Sequence, residues 1–163
     1  MLSRSLRRAL AASASAALIA GGGLIAAAPA SAHASAQLYG GMATAGGYGA
    51  LWMRIPHGCE GSPTRRVMVT VPASFGSAKP QMIGGWKAKV VAKADGSRQV
   101  IWNATGDPLP DDQFADFGIS VKWPTTEGEV ALPTVQTCVK GKVAWIGDEA
   151  PSVLVGPASG SAH

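Results

Sequence analysis

The stretch YGALWMRIPHGCEGSPTRRVMVTV, residues 48–71, decides the fold class. Its two ends, YGALWMRI and RVMVTV, are short, are rich in Val, Ile and aromatic side chains, and alternate apolar with polar residues. A period of two is typical of strands that are buried on one face. The middle, HGCEGSPT, gathers the Gly, Pro and Ser residues that mark turns. The stretch therefore predicts two strands joined by a loop that holds a cysteine.

The pattern repeats toward the carboxyl terminus. Five more runs share it: KAKVVAK, RQVIW, FGISVKW, EVALPTVQ and KVAWI. Clusters such as SAKP, ADGS and PTTEGE separate the runs and are predicted to be turns, and Asp95-Gly96 suits a tight hairpin because glycine accepts positive φ. Seven or eight short strands at regular spacing predict an all-β, two-sheet β-sandwich. Cupredoxin-like and immunoglobulin-like arrangements both fit this pattern.

The first 32 residues predict an export signal. Three arginines precede an Ala-rich apolar run, and the small residues Ala30 and Ala32 form a cleavage box for a signal peptidase. Cleavage after Ala32 divides the chain into a signal peptide (1–32), a sandwich domain (33–156) and a flexible tail (157–163). The mature protein is then expected to be periplasmic, extracellular or attached to the cell surface.

Charge argues against a nucleic-acid partner. The chain has 14 basic and 10 acidic residues, but three of the basic residues and none of the acidic ones belong to the signal. The mature domain is therefore nearly neutral, and its basic residues are scattered apart from Arg65-Arg66 and Lys87/Lys89. No tract resembles a channel for phosphates.

Two cysteines, Cys59 and Cys138, lie in the predicted domain. An even pair in an exported protein favours a disulfide, which would stabilise the fold by closing a long loop. The alternative is a thiol metal site, although no CxxC spacing supports it.

Cleavage after Ala32 would make His33 the first residue of the mature chain. A terminal histidine offers a metal two nitrogens, its α-amine and its ring Nδ1, and this nitrogen pair suits Cu(II). The alternative is a histidine that merely follows the cleavage box. A cut after Ala30 would place His33 third, which also suits Cu(II), whereas a cut after Ala34 would destroy the site.

Several motifs carry a family resemblance, and they follow His33 in a fixed order: AGGYGALWMRIPHGCEGSPT, AKPQMIGGW, LPDDQFADF, VALPTVQTC and KVAWI. Together they resemble the YcnI-like copper-binding domain family from His33 to about Val155. The resemblance implies an exported cupredoxin-like sandwich that binds Cu(II) as a metallochaperone or buffer. It implies a single-histidine brace at His33, with Trp145 as a site wall or weak contact. The expected partner is a membrane copper transporter or another exported copper protein.

The sequence departs from this family at one ligand. Some members supply a carboxylate from the first strand of the domain, but YGALWMR contains none. Glu60, Asp148, Glu149 and water are candidates for the missing oxygen ligand, and His57 is a candidate second histidine.

Two other functions stay open. A copper-dependent polysaccharide oxidase would need a second histidine, for which only His57 is available in the domain, and a structural or adhesion sandwich would bind no metal. The sequence shows no Ser/His/Asp set and no phosphate-binding glycine loop, so the protein is not expected to be an enzyme.

Overall fold

The computed structural model describes residues 33–158, and the predicted signal peptide and most of the tail lie outside this part. The described chain folds into eleven strands: β1 (Ser35–Gln37), β2 (Tyr48–Ile55), β3 (Thr64–Val71), β4 (Ser77–Pro80), β5 (Trp86–Ala92), β6 (Arg98–Ala104), β7 (Ala115–Lys122), β8 (Gly128–Ala131), β9 (Thr134–Cys138), β10 (Lys142–Trp145) and β11 (Ser152–Val155). A short 3-10 helix, Gly147–Glu149, connects β10 to β11. None of the helices in residues 33–158 has the length and apolar character needed to span a bilayer.

Two antiparallel sheets form the sandwich. The four-stranded sheet has the order β1-β2-β7-β4, and the five-stranded sheet has the order β10-β9-β3-β6-β5. Strands β8 and β11 pair separately as a two-stranded ribbon. The predicted all-β, two-sheet architecture is confirmed.

The core lies between the inner faces of the two sheets. Alternate residues of β3, namely Val67, Val69 and Val71, are fully buried, and β2 contributes Leu51 and Met53 in the same way. Each such side chain stabilises the fold by roughly 1.5–3 kcal/mol through removal of apolar surface from water. The period of two in the opening stretch therefore reports the buried face correctly.

Aromatic side chains fill the widest part of the core. Trp102 and Trp123 are fully buried. The Phe117 ring packs between Trp86, with ring centroids 4.9 Å apart, and Trp102, at 5.4 Å. These edge-on and tilted contacts link both sheets, since Phe117 lies on β7 and the two tryptophans lie on β5 and β6.

Two of the expected strand boundaries are wrong. SAKP, expected to be a turn, forms β4 at the edge of the four-stranded sheet, where proline is tolerated at the end of a strand. EVALPTVQ, expected to be one strand, divides into β8 and β9, which belong to different sheets. Pro133 lies between them, and a proline has no N–H with which to continue a ladder. The short strands β1 and β11 account for the rest of the difference in number.

The loop from 56 to 63 is fastened at its cysteine. Cys59 and Ser62 exchange two backbone hydrogen bonds of 2.9 Å around Glu60 and Gly61, which both have positive φ. A two-residue turn of this kind needs left-handed backbone at both central residues. Cys59 and Cys138 are bonded, with their Cα atoms 6.0 Å apart, so the predicted disulfide is confirmed. The bond joins this loop to the end of β9.

Candidate metal centre

His33 lies at the open edge of the four-stranded sheet. Strand β1 begins two residues later and pairs only with β2, with Ser35 opposite Arg54. Continuing this register back by two residues brings His33 level with Pro56, where the loop of the disulfide begins. The side chain of His33 is 53% exposed, whereas its neighbour Ala34 is buried in the core. The edge strand therefore anchors the chain immediately beside a histidine that remains accessible.

A carboxylate from the far end of the domain meets this histidine. Glu149 ends the 3-10 helix between β10 and β11, and its Oε1 lies 3.8 Å from Nε2 of His33. Strand β11 returns beside β1, and this return brings the helix to the same side of the sandwich. Because both side chains are more than half exposed, the pair contributes little to stability.

Trp145 is a core residue in this structure. It ends β10 opposite Thr134 of β9 and is only 3% exposed. Trp145 and Ala34 belong to the same hydrophobic core. The chain then leaves the core and reaches Glu149 four residues later. The expected role of Trp145 as a wall of a metal site stays a prediction.

The other candidate residues make different contacts. Nδ1 of His57 lies 2.6 Å from the carbonyl oxygen of Gly58, and the His57 carbonyl accepts a 2.6 Å hydrogen bond from the buried amide of Gln136. Glu60 occupies the tip of the turn at the disulfide, and Asp148 is exposed beside Glu149. Within residues 33–158, no three His, Cys, Asp or Glu side chains come together as a potential metal site.

Sequence reasoning missed a polar cluster close to β1. Arg54 of β2 makes two 2.9 Å hydrogen bonds to the carboxylate of Asp116 on β7, and the hydroxyl of Tyr39 donates to the same carboxylate. The Arg54 guanidinium also lies 4.4 Å from the ring centroid of Phe114. Hydrogen bonding from Arg54 lowers the pKa of Asp116, and the Asp116 carboxylate raises the pKa of Tyr39. The residues are far apart in sequence, so no local pattern identifies the cluster.

Similarity to known proteins decides the family. Residues 33–160 match the family model described as a domain of unknown function, DUF1775. The chain belongs to the DUF1775 family. One relative is the copper-binding protein CutI of Bacillus subtilis strain 168, which is 31% identical to this chain over 123 residues. The match covers 75% of this chain but only 59% of CutI. The resemblance to YcnI-like copper-binding proteins is thereby confirmed.

Solved structures confirm the sandwich for this DUF1775 chain. An uncharacterized protein from Nocardia farcinica, described as having an immunoglobulin-like fold, superposes with a TM-score of 0.65 and 28% identity. The superposition covers 79% of this chain and all of that one. A cohesin module from a Clostridium perfringens family 33 glycoside hydrolase gives a TM-score of 0.55 over 78% of this chain and 98% of the module. Its identity of 9% shows a shared fold alone. Of the two arrangements left open by the sequence, the immunoglobulin-like one is the description given to the Nocardia farcinica protein.

Proposed function

We propose that this protein binds one Cu(II) ion per chain at His33, after export cleavage makes that residue the amino terminus, and buffers or delivers the ion outside the cytoplasm. The match to the family model begins at His33 itself, which agrees with the expected cleavage after Ala32. The name of CutI, a copper-binding protein related over most of this chain, supports copper as the metal.

The chemistry of the donors fits this metal. The α-amine and Nδ1 of a terminal histidine can close one chelate ring, and two nitrogen donors suit the tetragonal preference of Cu(II). Such a chelate leaves Nε2 free, and Nε2 is the atom that faces Glu149 at 3.8 Å. A carboxylate on the second nitrogen of a metal-binding histidine fixes the tautomer and the orientation of the ring. The contact between His33 and Glu149 is the observation that carries the proposal.

Glu149 therefore acts as a positioning residue for the imidazole in this proposal, and the oxygen ligand comes from water or another donor. The exposed ring permits a copper donor or acceptor to reach the ion directly, as transfer between proteins requires. A membrane copper transporter or another exported copper protein would be that partner. Both nitrogens of the chelate must be deprotonated before they can hold the ion.

The test is titration with Cu(II) against a competing chelator, using chains that begin at His33. We expect one ion per chain, with nitrogen hyperfine structure in the electron paramagnetic resonance spectrum. His33→Ala should abolish tight binding, and so should one extra residue placed before His33, because it removes the terminal amine from the chelate. The matched control is His57→Ala, which should bind as the wild type does.

Four outcomes would contradict the proposal. Unchanged affinity in His33→Ala would exclude the terminal site, and an equal loss in His57→Ala would indicate a second histidine ligand. Oxidation of an insoluble polysaccharide in the presence of a reductant would assign the oxidase function instead. A mature protein that retains no copper would return the domain to a structural or adhesion role.

A further inference from the structure

The sheet register collects basic residues that are scattered in the sequence. Lys142 pairs with Thr137, Thr137 with Arg66, Arg66 with Asn103, and Asn103 with Lys87. These five residues therefore form one row across all five strands of the larger sheet. With strands about 4.8 Å apart, the row is about 19 Å long. Lys89 lies two residues further along β5, in the next row.

The side chains of this row point away from the core. Their strand neighbours Val67 and Trp102 are fully buried, and Val143 and Trp86 pack against the core, so alternation turns the row outward. Lys87, Lys89 and Lys142 are exposed, and Arg66 is partly exposed. We call this outer surface of the five-stranded sheet the basic face, defined by Arg66, Lys87, Lys89 and Lys142.

No carboxylate balances the basic face from within its sheet. The five strands contain six Lys and Arg residues and no Asp or Glu: Arg65, Arg66, Lys87, Lys89, Arg98 and Lys142. In residues 33–158, the two ion pairs are His33–Glu149 and Arg54–Asp116, and neither uses this sheet. Asp95, in the turn between β5 and β6, is already held by the backbone N–H and hydroxyl of Ser97.

The rest of the basic face is small or apolar. The row next to the cations consists of Ala144, Val135, Met68 and Ile101, followed by Lys89. Val91, two residues beyond Lys89, is 37% exposed. Neither row contains an aromatic side chain on which a nucleic-acid base could stack. Lysines beside a partly apolar surface can extend their ammonium groups to phosphate groups while the aliphatic carbons of their side chains cover the apolar part.

From this combination of a row of cations and a partly apolar neighbouring row, we propose that the basic face docks the domain on the surface of an anionic phospholipid bilayer. Lys and Arg side chains near such a surface are attracted by its negative potential, and the attraction falls off within a Debye length. The contact is peripheral, because the cations lie on a folded sheet rather than on an inserted segment. It is independent of copper, so its test uses metal-free protein.

The experiment measures co-sedimentation of residues 33–163 with vesicles. Residues 33–158 contain the core described above. The segment 1–32 is omitted because its apolar run would bind lipid by itself. Vesicles of equal parts phosphatidylglycerol and phosphatidylcholine should bind the protein at about 0.1 M salt, and binding should be lost at about 1 M salt. Vesicles of phosphatidylcholine alone should not bind it.

Two matched double variants locate the contact. Lys87→Gln/Lys142→Gln removes two charges from the basic face, and about a tenfold or greater loss of vesicle affinity is expected. Lys79→Gln/Lys122→Gln removes two charges from the four-stranded sheet and should leave binding within about twofold of the wild type. Since Lys79, Lys87 and Lys142 are exposed and Lys122 is partly exposed, circular dichroism should show both variants folded.

Other results would overturn the proposal. Equal losses in both double variants would mean that only net charge matters. Binding to polyglutamate without binding to vesicles would indicate an acidic protein as the partner. Absence of both would leave the lysines with the role of blocking association at the sheet edges, since β5 and β10 are edge strands.

Discussion

The imidazole of His33 combines accessibility with a fixed neighbour. Its backbone is held by the start of an edge strand, while its ring stays more than half exposed beside Glu149. A metal ligand in such a place is open to exchange, because nothing in the core must move for a partner to reach it. In the proposed site, the neighbouring carboxylate orients the imidazole ring, and this orientation matters more for metal binding than the small stability of an exposed ion pair.

Replacing the carboxylate should weaken copper binding without abolishing it. For Glu149→Gln we expect about a tenfold loss of Cu(II) affinity, because the ring loses the charged partner that orients it. Asp148→Asn, one residue earlier on the same 3-10 helix, is the matched control and should change the affinity little. Competition with a chelator measures both. A loss as complete as that of His33→Ala would make Glu149 a ligand rather than a positioning residue.

Strands β2 and β7 are linked on their outer face by more than backbone hydrogen bonds. Arg54 and Asp116 are directly opposite each other in the ladder, and the turn after β1 adds the hydroxyl of Tyr39. A bidentate arginine–carboxylate pair makes two parallel hydrogen bonds, so it binds more strongly and with a better-defined geometry than a typical surface ion pair. The cluster therefore joins β2 and β7 to the turn that leaves β1, beside the strand that anchors His33.

The free energy of unfolding should depend on pH through the ionisation of Asp116. Its pKa is lowered in the folded state by Arg54, so it stabilises the fold above the ordinary aspartate pKa of about 3.9. That contribution should disappear as the pH falls through the lowered folded value. Because the pair is partly exposed, we expect Asp116→Asn to cost roughly 0.5–1 kcal/mol at pH about 7. The cost should vanish once the pH is below the lowered pKa of Asp116 in the folded state.

Urea unfolding as a function of pH measures this difference. Asp112→Asn, in the exposed loop before β7, is the control and should show no such dependence. A cost for Asp116→Asn that persists in strong acid would show that the carboxylate acts through packing rather than charge.

A disulfide links the two sheets of the domain. The disulfide joins Cys59, in the loop after β2, to Cys138, at the end of β9, across 79 positions of sequence. Beside it, the buried Gln136 amide donates to the His57 carbonyl and to the hydroxyl of Thr64. These contacts fix the loop against the five-stranded sheet.

Removing the disulfide should therefore destabilise the entire fold. For a closed loop of this length, the chain-entropy model gives about 4.5 kcal/mol, and measured losses of native disulfides are about 2–5 kcal/mol. We expect Cys59→Ala/Cys138→Ala to lower the free energy of unfolding within this range, as measured by urea denaturation. A reductant should produce a similar decrease in the wild type and none in the variant. A variant as stable as the oxidised protein would show that packing alone closes the sandwich.

Local sequence determined those strands in which apolar and polar residues alternate, because the alternation itself shows which face is buried. The alternation of YGALWMRI places β2 at its observed bounds, because each inward residue is apolar whatever its partner. The hairpin at Gly96 and the disulfide were predictable for similar reasons. A turn residue with positive φ is best supplied by glycine. Two cysteines, and no others, in an exported domain can form only one disulfide with each other. His33 was identified by its place after a cleavage box.

Tertiary structure alone decided what depends on pairing between distant strands. The sequence offered four candidate neighbours of the metal, Glu60, Asp148, Glu149 and His57, without showing which of them lies near His33. Glu149 is the one that contacts His33, because β11 returns along β1 and brings the 3-10 helix to that side. Pro133 divided one apparent strand between two sheets, since a missing N–H ends one ladder and permits another. The basic residues looked scattered until register placed Arg66, Lys87 and Lys142 in one row. Register is set by contacts across the sheet, and no local pattern contains that information.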